Sequence, residues 1–459
     1  MKRREFLQVA GAVGIGTMMQ VKVGPENDTA KMKAPKRQGK SMVGYADKPI
    51  DKVRVGFIGV GARGSGHVQQ MLAIDGVEVV AICDLYKDLA ERSAKHCVDA
   101  GRKAPDIYHG DAMQYKKMLH RGDMDMVVIA TPWEWHVPMS CEAMLCGYHA
   151  FCEVPAAYHI EDCWRLVDTA ERTKRHYMML ENVNYGREEL MVLNMCRLGV
   201  FGELLHGEAS YIHDLRTQMY EMDRGTGSWR TIHYQTRNGN LYPTHGLGPV
   251  SHYLGINRGD RFDYMTSVSS PSRSRAIFLE EHPDKFPPGN KWSKDEFVCG
   301  DLNTSILKTV KGKTVMVQWD EQLPRPYTRL NFLQGTKGTW GGFPNRCVIE
   351  GVSKSTDTWD QDADLQKFYE KYDHPLWTHV ANLPNNQGGH GGMDFVMLWR
   401  IVYCLRNGLP LDQDCYDGPT WSAVGPLSEW SVANRGQSID FPDFTRGAWK
   451  DHQPKNIEI

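Results

Sequence analysis

The chain holds 459 residues, 41% of them apolar and 24% charged, an ordinary globular composition with length for a sizeable core and more than one domain. It excludes a collagen, a disulfide-dense miniprotein, a long disordered polymer and a polytopic membrane protein. The net charge of −2 hides an asymmetry: residues 1–40 carry nine Lys/Arg against three Asp/Glu, a sum of +6, which leaves −8 for the rest. So acidic a body argues against nucleic acid as a partner.

The chain opens Met1-Lys2-Arg3-Arg4-Glu5-Phe6-Leu7, followed by a small, apolar run from Val9 to Met19. A charged stretch before a short apolar one is a secretory pattern, and the run is too short to span a bilayer comfortably. Arg3-Arg4-x-Phe6-Leu7 resembles the twin-arginine export signal, which carries folded proteins, and implies export to the periplasm. A basic N-terminal helix on a cytosolic protein is the alternative. Residues 22–50 are polar and rich in Lys, Gly and Pro, as a tether is. Residues 1–50 are therefore read as signal and lead-in, with no integral membrane span in the mature protein. The eleven cysteines form no CxxC pair and read as buried free thiols, which folding in a reducing cytosol before export accommodates. No His/Cys/Asp/Glu spacing reads as a metal site.

From Val53 the pattern alternates strand and helix. Val53-Arg54-Val55-Gly56-Phe57-Ile58 reads as a buried strand running into Gly59-Val60-Gly61-Ala62-Arg63-Gly64, a GxGxxG that opens a helix over about Ser65–Ile74. Gly59 allows the tight turn, Gly61 lets the backbone approach a pyrophosphate, and Gly64 permits close helix–strand packing. The helix N-terminus offers free N–H groups and a positive dipole end to the phosphates. The next strand, 77–83, delivers Asp84 at the spacing expected of a ribose 2′-OH acceptor. An acid there repels a 2′-phosphate, which favours NAD over NADP. Strand 125–130 is broken by Thr131-Pro132, which places Trp133-Glu134-Trp135-His136 at the carboxyl mouth of a parallel sheet. There His136 also reads as a helix cap and the two Trp as core. Strand 148–152 ends at Glu153-Val154-Pro155, a helix is expected over about His159–Thr173, and strand 177–180 leads into Glu181-Asn182-Val183-Asn184-Tyr185.

Beyond residue 183 the character changes. Strand-like runs at Leu205–Ile212, Thr304–Val310, Thr314–Trp319 and Thr328–Gln334 predict a larger antiparallel sheet carrying the substrate site. The turn-rich segment 285–300 is expected to be a surface excursion. A helix over about Met393–Arg406 follows Gly388-Gly389-His390-Gly391-Gly392, whose glycines allow either close backbone approach or a hinge. The fold class is α/β: a doubly wound parallel Rossmann sheet over 51–182, then an α+β domain over 183–459 with a large, mostly antiparallel sheet. The last helices have the option of packing back on the first domain.

A Rossmann half ending in Glu-x-Pro before an antiparallel half resembles the Gfo/Idh/MocA oxidoreductase superfamily. Its usual Glu-Lys-Pro is here Glu153-Val154-Pro155, and valine supplies no proton relay. Further strings resemble glycoside hydrolase family 109, the NAD-dependent α-N-acetylgalactosaminidases: Trp133-Glu134-Trp135-His136, Leu180-Glu181-Asn182-Val183, His213-Asp214-Leu215-Arg216, Leu241-Tyr242-Pro243-Thr244-His245-Gly246, Arg325-Pro326-Tyr327 and Gly389-His390-Gly391-Gly392-Met393-Asp394. They spread from about residue 53 to the C-terminus. The resemblance implies cofactor contacts at Ala62, Arg63, Asp84, Trp133, Glu134, Trp135, His136, Glu153, Val154, Asn182 and Tyr242. It implies sugar contacts at Tyr211, Arg230, Tyr242, Pro243, Thr244, His245 and Tyr327.

An ordinary glycosidase needs two carboxylates about the scissile bond, and the segment 242–252 offers none. The resemblance implies instead a redox route with retention, NAD staying tightly bound and recycled in each turnover. A hydride leaves C3 of the sugar, the acidified C2 proton and the C1 aglycone are eliminated, water adds to C1, and the hydride returns. Histidine suits such proton transfers, so His245 is the expected base. Tyr242 is the expected proton donor or oxyanion partner, and Tyr185 a further catalytic candidate. The alternatives are an exported NAD(P)-dependent sugar oxidoreductase and a non-catalytic sugar- or nucleotide-binding protein. The aglycone, the natural glycan and any homo-oligomer are open at this point.

Overall fold

The computed structural model describes residues 34–292, 294–383, 388–454 and 457–459. The twin-arginine segment lies outside them. No helix among the described residues is long and apolar enough to cross a membrane.

The first sheet is built from β1 (Val53–Ile58), β2 (Val77–Cys83), β3 (Asp106–Tyr108), β4 (Met126–Ile129), β5 (His149–Cys152) and β6 (Tyr177–Met179), in the order β3-β2-β1-β4-β5-β6. Every pair is parallel. Helices α1 (Ala62–Leu72), α2 (Lys87–Asp99), α3 (Gln114–Leu119), α4 (Trp133–Leu145) and α5 (Ile160–Thr173) make the crossovers. Such strands are buried on both faces, and alternate residues serve different layers. Val53, Val55 and Phe57 of β1 face one apolar cluster and Ile58 the other. The order reverses between β1 and β4, so their carboxyl ends open the crevice where such folds hold ligands. Helix α1 begins at Ala62, earlier than Ser65, because Gly61 itself is the N-cap residue and the loop before it is short.

After α6 (Arg187–Arg197) comes the second sheet. Its nine strands run β14-β13-β12-β11-β7-β10-β9-β8-β15. The central ones are β7 (Leu204–Ile212), β8 (Phe262–Ser269), β9 (Asn303–Thr309) and β10 (Thr314–Asp320). The outer ones are β11 (Phe332–Gly335), β12 (Gly338–Gly341), β13 (Arg346–Ile349), β14 (Asp360–Gln361) and β15 (Ile439–Asp440). Pairing is antiparallel except between β7 and β10, which run parallel in the middle. Helices α7 (Thr226–Thr236) and α8 (Thr244–Leu254) lie in the long connection between β7 and β8, and α9 (Ser274–Glu281) follows β8.

Two expectations need correction. The strand expected over Thr328–Gln334 is shortened to Phe332–Gly335, because Leu330 (φ 58°) and Asn331 (φ 46°) are left-handed and interrupt the extended backbone. The segment 285–300 is not a simple excursion: Phe286, Trp292 and Phe297 are buried, and the Trp292 indole N–H donates to the Met219 carbonyl at 2.8 Å. Short helices α10 (Gln366–Tyr372) and α11 (Pro375–Val380) precede α12 (Met393–Asn407). Helix α12 returns to the first sheet: Phe395, Leu398 and Ile401 share a cluster with Val53, Phe57 and Met126. Helices α13 (Asp417–Ser422) and α14 (Val424–Ala433) complete the chain's helices before β15.

Candidate active site

The glycine loop shows what each glycine does. A Cβ on Gly59 would meet the Ala130 carbonyl oxygen at 2.6 Å, and one on Gly64 would meet the Gly59 oxygen at 2.0 Å. Gly61 has nothing within 4 Å of such a Cβ, so there the backbone borders open space. No side chain caps the start of α1, and its first N–H groups are left to an anion. The Asp84 carboxylate accepts from Val60 N (2.8 Å) and Tyr86 N (2.9 Å) and ties the end of β2 to that loop. Burial raises its pKa against the lowering effect of those donors. A glycine cradle, an uncapped helix start and an acid beside them fit a dinucleotide without a 2′-phosphate.

Arg63, next on α1, is gripped by two acids. Its Nε donates to Glu153 at 2.9 Å, and its terminal nitrogens donate to Asp394 at 2.6 and 3.1 Å. Asn182 Nδ2 joins Asp394 at 2.6 Å, His390 lies 2.7 Å from the same carboxylate, and His67 Nε2 meets Glu153 at 2.6 Å. Burial alone would raise the Glu153 carboxyl, but Arg63 and His67 overcome it and hold its pKa at about 2. Asp394 is held low in the same way by His390 and Arg63. Of the glycines before α12, Gly389 serves close approach, since a Cβ there would meet Gln70 Nε2 at 2.2 Å, whereas Gly388 and Gly391 border open space and supply left-handed backbone (φ 73° and 72°). Val154 is buried in the apolar core.

His136 is turned from the crevice. Its ring nitrogens face the Pro155 carbonyl (2.7 Å) and the Thr131 carbonyl (2.8 Å), so only its backbone is left to reach a cofactor. It fastens the loop after β4 to the loop after β5. Trp135 packs edge-on to Tyr115 at 6.4 Å, whereas Trp133 stacks on Tyr242 at 5.7 Å. The Glu134 side chain is exposed at the start of α4, and partial desolvation raises its carboxyl.

Trp133 joins the cofactor segment to the second half. Tyr242 lies 4.8 Å from Tyr211 and 5.1 Å from His245, and Tyr211 is 5.1 Å from His245. The Arg230 guanidinium, on α7, lies over Tyr242 (4.6 Å) and Trp133 (5.1 Å). Tyr327 stands 6.0 Å from Tyr211. Pro243 is the N-cap residue of α8, and Thr244 and His245 are its first turn. The Thr244 hydroxyl is buried, with no protein partner among the described residues. His245 Nδ1 meets the buried Glu181 carboxylate at 2.6 Å. Because a carboxylate accepts, it holds a proton on Nδ1 and leaves Nε2 as the working nitrogen. Burial pushes the Tyr242 and Tyr211 phenols well up, despite Arg230 beside Tyr242, so both stay protonated donors.

Tyr185 is not brought to this cluster. Its ring packs in the core with α12, and its hydroxyl donates to Asp412 at 3.3 Å, which in turn pairs with Arg400. That is a structural role. Three acids that sequence reasoning passed over belong to the site's frame. Glu181 and Asp394 stand inside quoted strings, and their signal was an acid beside a residue already assigned. Glu321, buried against Arg230 and Tyr234, gave no signal, since only folding brings β10's end to α7.

Comparison with known proteins decides the family. The model for glycosyl hydrolase 109, C-terminal domain, matches residues 185–451, and that for the oxidoreductase family, NAD-binding Rossmann fold, matches 53–181. A glycosyl hydrolase family 109 protein of Shewanella putrefaciens is 56% identical over 458 residues, 99% of this chain and 98% of the relative. The chain belongs to glycosyl hydrolase family 109. A second member, from Shewanella sp. strain MR-4, is 55% identical over 99% of this chain and 98% of its own. Among solved structures, an NAD-binding oxidoreductase from Klebsiella pneumoniae superposes with TM-score 0.65 at 16% identity, covering 85% of this chain and 99% of its own. Levoglucosan dehydrogenase with NADH and levoglucosan gives 0.64 at 17%, with the same coverage. These likenesses establish the fold. Family 109 membership with the NAD-binding half thus makes this an enzyme of the glycosidase or NAD-dependent sugar class.

Proposed function

We propose that the enzyme hydrolyses terminal α-N-acetylgalactosaminides with retention, using an NAD that stays bound and is recycled in each turnover. The observation that carries this reading is the Glu181–His245 pair under Tyr242 and Tyr211, beside the cofactor segment at Trp133. The other buried acids near it are committed, Glu321 to Arg230 and Tyr234, and Glu153 to Arg63 and His67. Among the described residues, then, this cluster does not present the two free carboxylates of an ordinary glycosidase, and a proton shuttle takes their place.

The dinucleotide would be held by Gly59, Gly61 and Ala62 at the helix start, by Asp84 at its ribose, and by Trp133 and Asn182 towards its reacting end. When bound, it supplies reversible acceptance of hydride from a sugar carbon. The chain's own residues do the rest. His245 Nε2 takes the sugar hydroxyl proton, releases it to solvent, and then takes the neighbouring C–H proton, with Glu181 stabilising the imidazolium that forms each time. Tyr242, kept protonated by burial, donates a hydrogen bond to the developing oxyanion. Arg230 and Tyr211 orient hydroxyl or acetamido oxygens, and Thr244 offers them an unspent hydroxyl. We further propose that the basic leader exports the protein already folded around its cofactor.

The test is a glycoside panel on purified protein. Release of p-nitrophenol from its α-N-acetylgalactosaminide without added NAD⁺, with no net NADH, supports the reading, as does nucleotide freed on denaturation. Accumulating NADH selects a sugar oxidoreductase. Tight sugar binding without exchange of the C2 proton into deuterated water selects a binding protein.

A further inference from the structure

We infer that Phe343 and Arg329, beside the sugar-contact residue Tyr327, extend the site into an aglycone-side subsite that takes the second sugar ring of an oligosaccharide. This rests on the glycosidase reading and gives it a substrate class. Five rings make one row out of the site: Trp133 to Tyr242 5.7 Å, Tyr242 to Tyr211 4.8 Å, Tyr211 to Tyr327 6.0 Å, Tyr327 to Phe343 5.8 Å. Exposure steps up along it, from 3% at Trp133 and 7% at Tyr242 and Tyr211 to 39% at Tyr327 and 38% at Phe343. The inner rings are buried, and the outer two stand in water.

The outer rings are held there against two costs. An apolar ring is left hydrated, and the backbone under it is strained: Phe343 has φ 56°, while Leu330 (φ 58°) and Asn331 (φ 46°) face it across the turn. Left-handed backbone is unfavourable for bulky side chains and persists where surroundings over-determine it. Here Gly342 N donates to the Leu330 carbonyl at 2.9 Å, and the Tyr253 hydroxyl donates to Asn331 Oδ1 at 2.9 Å. Arg329 fixes the splay of the two rings. Its guanidinium lies 5.6 Å from the Tyr327 centroid and 4.8 Å from that of Phe343, while its nitrogens donate to the Tyr327 hydroxyl (3.1 Å) and Glu189 (2.8 Å). The C–H faces of a pyranose pack on such rings, and its hydroxyls find the guanidinium at the edge.

The experiment compares two substrates on the holoenzyme: a methyl α-N-acetylgalactosaminide, and a disaccharide with the same terminal residue and a hexose aglycone. Asparagine tolerates left-handed backbone, so Phe343→Asn removes the ring and keeps the turn. It is expected to lower kcat/KM for the disaccharide about tenfold, with the methyl glycoside within about twofold, and Phe343→Trp to restore the ratio. Equal losses on both substrates, or no loss on either, overturn the subsite and leave the glycosidase reading standing. A wild-type enzyme that acts on neither glycoside overturns both.

Discussion

The two sheets carry the same kind of arginine in different ways. Arg63 sits at the start of the helix after β1, in a motif written within a dozen residues, and its acids Glu153 and Asp394 come from the ends of β5 and α12. Arg230 sits in no motif, and its acid Glu321 arrives from beyond the end of β10. The parallel sheet concentrates its nucleotide loop and Asp84 at one set of strand ends, so that part of its chemistry is local, although the acids on Arg63 are not. The mixed sheet draws its ligand groups from a helix, a loop and two strand ends, so its chemistry exists only after folding. Trp133 is where they meet, stacked on Tyr242 and under Arg230.

The comparison is sharpened most by His245→Ala. Loss of the shuttle is expected to cut turnover about 10²–10⁴-fold and abolish C2–H exchange, while NAD remains bound. Wild-type exchange in that variant removes His245 from the mechanism. Glu181→Gln, which keeps the shape but loses the charge, is expected to fall between the two.

Breaking the distant grip comes next. Glu321→Leu strands a buried guanidinium and is expected to cost about 3–5 kcal/mol in denaturant unfolding. A loss below about 1 kcal/mol would show that Arg230 finds another partner and that the mixed sheet's frame is looser than drawn. The local motif gives a paired test of smaller size. Gly64→Ala drives a methyl into backbone and is expected to cost about 1–3 kcal/mol. Gly61→Ala is expected to unfold like the wild type yet bind NAD more weakly, as is Asp84→Ala. If Gly61→Ala leaves NAD affinity unchanged, the cradle assignment is wrong.

A last test is acidification. Burial pushes the pKa of His149 down to about 4 and those of His176 and His252 to about 3, despite Asp47 near the first two and Asp417 near the third. Their folded values lie below the unfolded value of about 6.5, so the unfolded chain binds protons first. The stability they contribute is complete above about pH 6.5 and is lost as pH falls towards 4. A thermal midpoint that drops between pH 7 and 4.5 is the expected record. His149 Nδ1 accepts the His176 N–H at 3.0 Å, and His149→Asn, whose side-chain oxygen can take that bond, should flatten the slope.

The family resemblance named Tyr242, His245, Arg230 and Tyr211, and the structure brings these four together. The same reading overreached at Tyr185, because adjacency to Asn182 in sequence says nothing about which way a buried ring points. At His136 the ring is spent on the Pro155 and Thr131 carbonyls, which leaves a cofactor only its backbone, a distinction that sequence does not draw. It missed Glu321 because no spacing connects residues 230 and 321.

What the sequence determined by itself was the family, the parallel half and its nucleotide loop, since a turn, its glycines and the acid after the next strand are read from consecutive residues. What only tertiary structure decided was which acid serves which base. Glu181 holds His245, Asp394 holds Arg63 and Glu321 holds Arg230, and each pairing joins residues that are strangers along the chain. A carboxylate buried without a partner is too costly to persist, so the fold had to supply those partners, and the site took its shape from them.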